Sequence, residues 1–302
     1  MPEKYSYFFK MMGSLCHVQV YAEDQTSANK YFSYAKSELD RIERKYSRDN
    51  KFSVVSQINA SSGTGRSVKL DSETRYLVDY AERIYKQSNG MFDITTAVLR
   101  DLWNGKNGVE PSQGTLEETL INLTGWNIVG WGGGEILLPE TGMKIDFDTF
   151  IKEYAADKLV KILGLQGAPS VCVDLGGSVA VSGPNLDGGP WNIEVASPCD
   201  TLKIITELPI VSGGLAGNHG VGPSSESGFD SFGQLYCPKT GLPVHCESVV
   251  KVQAERCLVA GVITAIAMLQ GEEAGIDWLS KLGIPFIVYR PDDDRIEHKK
   301  IA

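Results

Sequence analysis

Residues 171–182 read Val171-Cys-Val-Asp-Leu-Gly-Gly-Ser-Val-Ala-Val-Ser182. Two apolar runs, Val171–Leu175 and Val179–Ser182, meet at Gly176-Gly177. A glycine pair between such runs is a hairpin signal, because both glycines accept positive φ. A hairpin joins antiparallel strands, whereas a parallel pair needs a long crossover. The stretch therefore argues for an α+β fold over a doubly wound sheet. Gly176–Ala180 also loosely resembles a nucleophile elbow, but that motif needs a helix after its serine. A strand is predicted here, which argues against a serine hydrolase.

Upstream, the spacing predicts a helix from about Thr149 to Leu163, stopping at Gly164 and entered from a strand that carries Asp146. Lys152 falls in its first turn, where a cation opposes the helix dipole unless an anion is bound. The helix amino terminus and Lys152 together suit a phosphate. The plain alternative is a surface lysine paired with Asp148 or Glu153. Residues 14–22 alternate as a strand. From Ser27, apolar residues at Ala28, Tyr31, Phe32, Ala35, Leu39, Ile42 and Tyr46 keep a three-to-four spacing that predicts an amphipathic helix. Asp71 or Ser72 caps a second helix, which Asn89-Gly90 ends. Asp93, just after that stop, reads alone as the cap of a following turn. Loops are expected at 104–118 and across the Gly- and Ser-rich 212–233. Strands are expected at Asn127–Val129 and Ile136–Leu138, around a turn at Trp131–Gly134. Beyond residue 233 the pattern gives a strand at 248–253, a helix buried on all sides at Cys257–Leu269, a helix at 272–281 and a strand at Phe286–Tyr289.

The 302 residues are 42% hydrophobic and 22% charged, an ordinary globular composition. Acids outnumber bases by 38 to 29, so no basic surface for nucleic acid is indicated. The six cysteines include no CxxC pair and read as reduced thiols; Cys237 and Cys246 are the pair a hairpin could bring together. The four histidines form no HExxH pair. The run Cys257–Leu269 is shorter than the roughly 20 residues needed to span a bilayer, so no membrane span is expected. The amino-terminal residues lack a signal-peptide core. The expected compartment is cytoplasmic, unless an export signal has been removed.

Taken in order, the motifs resemble the ApbE family of FAD:protein FMN transferases. Met12-Gly13-Ser14 is similar to that family's opening Met-Gly-Thr. Ser47-Arg48, Ser53, Ser56 and Asn59 keep the spacing of a serine-rich segment, although Asp49 stands where tyrosine is usual. Gly90-Met-Phe-Asp-Ile-Thr95 and Leu102-Trp103 follow. Ile145–Asp157 retains Asp146, Lys152, Tyr154 and Asp157 of the family's Leu-Asp-Leu-Gly-Gly segment. Asp174-Leu-Gly-Gly177, Gly183, Pro190-Trp191 and Pro238-Lys-Thr-Gly241 complete the series. The resemblance implies a single ApbE-like domain over 1–302, of two packed lobes with a ligand cleft between them, mixed or antiparallel sheets and a buried C-terminal helix.

It also implies a reaction. A threonine or serine hydroxyl of a partner flavoprotein attacks the FMN-side phosphorus of FAD, with a magnesium ion neutralising charge. Met12, Asp93, Lys152, Gly176, Gly177 and Gln234 are the implied flavin-nucleotide contacts. Lys152 and Gln234 are the candidate catalytic groups, and Thr264 is the surviving cation ligand. The departures concentrate there. Ala260 replaces the aspartate of the family's late helical motif, Cys237 replaces another aspartate and Gln234 a histidine. Asp148 and Glu153 replace two glycines. A hard cation prefers carboxylate oxygen, so loss of the residue-260 carboxylate weakens the expected site unless Asp148 or Glu153 substitutes. The alternatives are a flavin-binding relative without transferase activity, serving as carrier, sensor or interaction partner, and an FAD pyrophosphatase.

Overall fold

A computed structural model of the protein describes residues 2–104, 110–197, 203–217, 235–244, 246, 248–291 and 295–299. The elements begin with β1 (Glu3–Met11), β2 (Ser14–Ala22), α1 (Gln25–Tyr46), α2 (Val54–Ala60), β3 (Val68–Lys69), α3 (Ser72–Gln87), α4 (Ala97–Trp103), α5 (Gln113–Leu123), β4 (Gly130–Gly132) and β5 (Glu135–Leu137). They continue with α6 (Ile151–Leu165), β6 (Val171–Leu175), β7 (Val179–Ser182), β8 (Trp191–Ala196), β9 (Ile204–Ile210), β10 (Gly213–Gly217), β11 (Val249–Ala254), α7 (Cys257–Leu269), α8 (Glu272–Leu282), β12 (Phe286–Arg290) and β13 (Arg295–Lys299). No helix among the described residues is long and apolar enough to cross a membrane.

The chain divides into two compact units. The first comprises Met1–Glu43, Phe150–Gly233 and His245–Ala302, the second Arg44–Thr149 and Gln234–Val244. In the first, eight strands form one sheet in the order β1-β2-β6-β7-β10-β11-β12-β13, and every neighbouring pair is antiparallel. The β6–β7 hairpin forms where the glycine pair predicts it, with Asp174 opposite Val179. Gly176 and Gly177 carry φ of 72° and 90°, which L side chains resist. Helices α6 and α7 lie against this sheet. Val179, Val181, Leu215, Val249 and Ile287 pack in one apolar cluster with Trp191, Val195 and Ile210 of the β8–β9 ribbon. On α1 the predicted stripe is buried at Ala28, Phe32, Ala35, Leu39 and Ile42.

Helix α7 is buried nearly all round, as its uniform apolarity predicts. Its amino terminus has no capping side chain of its own. Asp157 on α6 supplies one, accepting from the N–H groups of Cys257 (2.8 Å) and Leu258 (3.0 Å). These are orphan donors of a helix start, and a carboxylate there also meets the positive end of the dipole. Asp157→Ala is expected to cost about 1–2 kcal/mol, read as a lower urea midpoint with faster amide exchange confined to the first turn of α7. An unchanged exchange rate there would show that the bonds carry no stability.

The second unit holds α2–α5 and the three-stranded sheet β3-β5-β4. Asp71 caps α3 through Thr74 N–H, and Asn89 and Gly90 follow the helix at φ of 51° and 78°. Several expectations need correction. The loop expected at 104–118 contains α5, whose start is capped by Ser112 and whose Leu116 and Thr119 are buried. The polar, glycine- and proline-containing composition suggests a loop, but the cap and the buried face outweigh the entropic cost of Gly114 in the first turn. Residues Trp126–Ile128 form a 3₁₀ turn instead of a strand. Long-range bonds fix this turn: Thr95 Oγ1 takes the Gly125 N–H and Asp93 takes that of Trp126. Asp146 sits on an extended segment outside any ladder, because the Asn59 carboxamide takes both the N–H and the C=O of Ile145. In the first unit, α6 runs past Gly164 to Leu165. Residues 213–217 of the expected 212–233 loop form β10, a glycine-rich strand over which α7 passes closely. The remainder of that loop, 218–233, lies outside the described residues.

Candidate functional site

In the first unit, three of the motif segments meet at Ser14. The β1–β2 hairpin turns on Met12 and Gly13, whose φ values are 49° and 71°. A methionine in the left-handed region is uncommon, and such strain concentrates at functional positions. The Met12 N–H is held by Glu43 Oε1 at 2.9 Å, and the side chain is buried. Ser14 Oγ accepts from Lys152 Nζ at 2.7 Å. On the other side, a Cβ added at Gly176 would fall 2.6 Å from Ser14 Cβ. Met12, Lys152 and Gly176-Gly177 thus converge within one unit. The bond to the Ser14 hydroxyl fixes the direction of the Lys152 ammonium. The Gly177 N–H is donated to Asp174 Oδ1 at 2.6 Å, which fixes the loop.

Three further ionisable groups belong to this unit, the buried Lys251 and the half-buried Glu153 and Asp174. Glu153 Oε1 accepts from Ser178 Oγ at 2.8 Å. Burial pushes the carboxyls of Glu153 and Asp174 up from their ordinary range and pushes the Lys251 ammonium down. Their mutual charges oppose those shifts. Thr264, the expected cation ligand, donates its hydroxyl to Ala260 O at 2.9 Å, and Ala216 O lies at 3.4 Å. A threonine bonded to the carbonyl four residues back is satisfied by its own helix. Ala260 adds no side-chain oxygen. No group of three or more His, Cys, Asp or Glu suited to a metal ion occurs among the described residues. Among the described residues, Thr264 and Ala260 alone do not make a donor set that fits a divalent cation. No disulfide joins any of the five described cysteines, Cys237 and Cys246 included.

In the second unit, Asp93 is the cap that its position predicts. Its Oδ1 accepts from the N–H (2.8 Å) and hydroxyl (2.7 Å) of Thr95, and its Oδ2 from Trp126 N–H at 3.2 Å. Burial nevertheless raises its pKa, so these bonds offset desolvation only in part. The Pro238–Gly241 turn is closed by Gly241 N–H to Cys237 O and held by Trp103 Nε1 donating to Gly241 O at 2.8 Å. Gln234 lies outside the described residues.

Sequence reasoning passed over Arg100. It is buried on α4, hydrogen-bonds Asp148 and pairs with Asp146 at 3.3 Å, while Arg48 stands 3.7 Å from Asp148. Desolvation and the neighbouring Asp148 push Asp146 up to about 7, against the pull of Arg100 and Arg48. This folded value exceeds the ordinary 3.8. Between those two values the native state holds a proton that the unfolded chain releases, so this group makes stability fall as pH rises. Asp146→Asn is expected to flatten the dependence of the urea midpoint on pH between about 4 and about 7. Parallel curves for variant and parent would refute the assignment. A buried arginine among apolar helix positions was the available signal. Its two carboxylate partners, 46 and 48 positions away, were not legible locally.

The ApbE family model matches residues 12–288. An FAD:protein FMN transferase of Haemophilus influenzae is 23% identical over 94% of this chain and 86% of its own. One from Vibrio cholerae is 24% identical over 85% of this chain and 78% of its own. A crystal structure of the ApbE protein from Thermotoga maritima superimposes with a TM-score of 0.81 at 24% identity, covering 99% of this chain and 97% of that one. The same α+β architecture of antiparallel sheets and helices is thus shared.

Proposed function

The chain belongs to the ApbE family, and from that premise we propose that it is an FAD:protein FMN transferase. The acceptor is a threonine or serine of a partner flavoprotein. The carrying observation is the family match over residues 12–288, together with curated relatives of that activity spanning most of the chain. The hydroxyl oxygen forms a bond to the FMN-side phosphorus, and the bond from that phosphorus to the bridging oxygen breaks. AMP leaves with the bridging oxygen and one proton is released. FMN remains on the acceptor as a phosphodiester.

Phosphoryl transfer asks the protein mainly for positioning and for positive charge near the developing negative charge. Lys152 is the charge we assign to the pyrophosphate. Its bond to Ser14 aims it, and the left-handed backbone at Met12-Gly13 and at Gly176-Gly177 forms the two turns that meet at Ser14. Met12 is assigned to a ring of the nucleotide, Asp93 to holding its own loop in register, and Gln234 to the nucleotide as well. A magnesium ion supplies charge neutralisation where a family site holds one. Among the described residues, Thr264 spends its hydroxyl on Ala260 O and Ala260 offers no side-chain oxygen, so the pair does not fit that ion.

The test is direct. The purified protein is incubated with FAD and an FMN-binding acceptor domain, once with magnesium and once with chelator, and the acceptor is weighed by mass spectrometry. A gain of one FMN, with AMP released in equal amount, is expected. An unmodified acceptor in both buffers would sink the reading. Release of free FMN and AMP without an adduct would mark a pyrophosphatase instead.

A further inference from the structure

Two successive side chains in the first turn of α6 reach two different hairpin turns. Lys152 Nζ donates to Ser14 Oγ at 2.7 Å, on the β1–β2 side. Glu153 Oε1 accepts from Ser178 Oγ at 2.8 Å, on the β6–β7 side. The two turns also meet, since a Cβ at Gly176 would fall 2.6 Å from Ser14 Cβ. The contacts close a circuit from α6 to Ser14, across to Gly176, on to Ser178 and back to α6. Each turn is also fixed from its own flank: Glu43 Oε1 takes the Met12 N–H at 2.9 Å, and Asp174 Oδ1 takes the Gly177 N–H at 2.6 Å.

Glu153 stands where the family resemblance expects glycine. Its stem lies on α7 at Gly261, where a Cβ would come within 2.5 Å of Glu153 Cγ. A stem confined in this way has little rotamer freedom left to lose when its carboxylate is aimed. The hydroxyl it accepts from belongs to a residue only 6% exposed, where an unmade bond is costly. An anion at Lys152 shares the ammonium with Ser14, so that arm of the circuit weakens when a ligand binds. The Glu153 arm takes no part in that exchange. We propose that Glu153 is a positioning residue of the nucleotide site: through Ser178 it keeps the Gly176-Gly177 turn seated against Ser14 while the pyrophosphate engages Lys152. A turn already held in place lowers the cost of binding. The role rests on the reading above for its ligand, whereas the tether exists without one.

The experiment has two arms. Amide exchange is followed by mass spectrometry in peptides covering residues 174–180 without FAD, and FAD affinity is measured by fluorescence. Glu153→Met keeps the stem on Gly261 but loses the acceptor; Ser178→Ala removes the same bond from its other end and decides the matter should the first variant fail to fold. Each is expected to speed exchange in the turn and to weaken FAD binding by about five- to tenfold. Glu153→Gln keeps an acceptor oxygen and is expected to stay within about twofold of the parent in both arms. The double variant of Glu153→Met and Ser178→Ala is expected to be no worse than the worse single one, because both remove one bond. Parental exchange and affinity in Glu153→Met or Ser178→Ala would overturn the proposal, leaving Glu153 as filler against α7. So would a Glu153→Gln variant as impaired as Glu153→Met, since charge and not the bond would then matter. A parent protein that binds no FAD would instead defeat the transferase reading, while the exchange arm still decides the tether.

Discussion

Arg100→Leu is expected to lower the unfolding free energy by about 3–5 kcal/mol, among the largest single effects available in this chain. The guanidinium is buried, hydrogen-bonded to Asp148 and paired with Asp146. Removing it leaves the buried Asp146 and the half-buried Asp148 with Arg48, 3.7 Å from Asp148, as the remaining ion-pair partner among the described residues. The penalty is mostly that of stranded charge, not of a lost contact. Adding Asp148→Gly to Arg100→Leu should therefore recover part of the loss, because it removes one of the stranded carboxylates. The measurement is a double-mutant cycle in urea. A loss under about 1 kcal/mol for Arg100→Leu, a value typical of exposed pairs, would mean that water already screens the cluster. Activity separates a second role: a purely structural Arg100 would leave turnover per folded molecule intact in the rescued double variant.

What was legible in the sequence follows from the range of the forces involved. The α1 stripe, the apolar α7 and the Gly176-Gly177 hairpin are local patterns, and each forms where its pattern lies. The misreadings occur where a distant group overrides local propensity. Gly213-Gly-Leu-Ala-Gly217 looks like loop, but α7 crosses it so closely that a Cβ on Gly214 would lie 2.2 Å from Cys257 N. The glycines are there for packing, and the strand survives because β7 and β11 flank it. At the site, Lys152 and Gly176-Gly177 announced themselves by motif. Arg100 did not, because a buried charge is recognised only with its partners, and those come from another segment. Thr264 keeps its family place, yet its hydroxyl is spent on Ala260 O, a fact of geometry that composition cannot carry.

Lys152→Met should reduce FMN transfer by about 100-fold or more while leaving the fold intact. The size follows from removing a charge-assisted contact to the pyrophosphate, worth about 1.5–3 kcal/mol in binding, with a further share in the transition state where negative charge concentrates. Methionine keeps the unbranched stem that crosses the first turn of α6, so packing changes little. The hydroxyl partner supplies the control. Ser14→Ala removes the 2.7 Å bond that aims Lys152 but keeps its charge, so it should cost far less, about tenfold. If Lys152 acts on the pyrophosphate in ground and transition state alike, Lys152→Met raises KM for FAD with little change in kcat; if it acts on the developing charge, kcat falls with it. Lys152→Arg separates charge from shape: a planar guanidinium restores charge but not a point-like ammonium, and partial rescue is expected. Should Lys152→Met transfer FMN at the parental rate, the phosphate would have to be met elsewhere, and the convergence of Met12-Gly13-Ser14, Lys152 and Gly176-Gly177 would be packing alone.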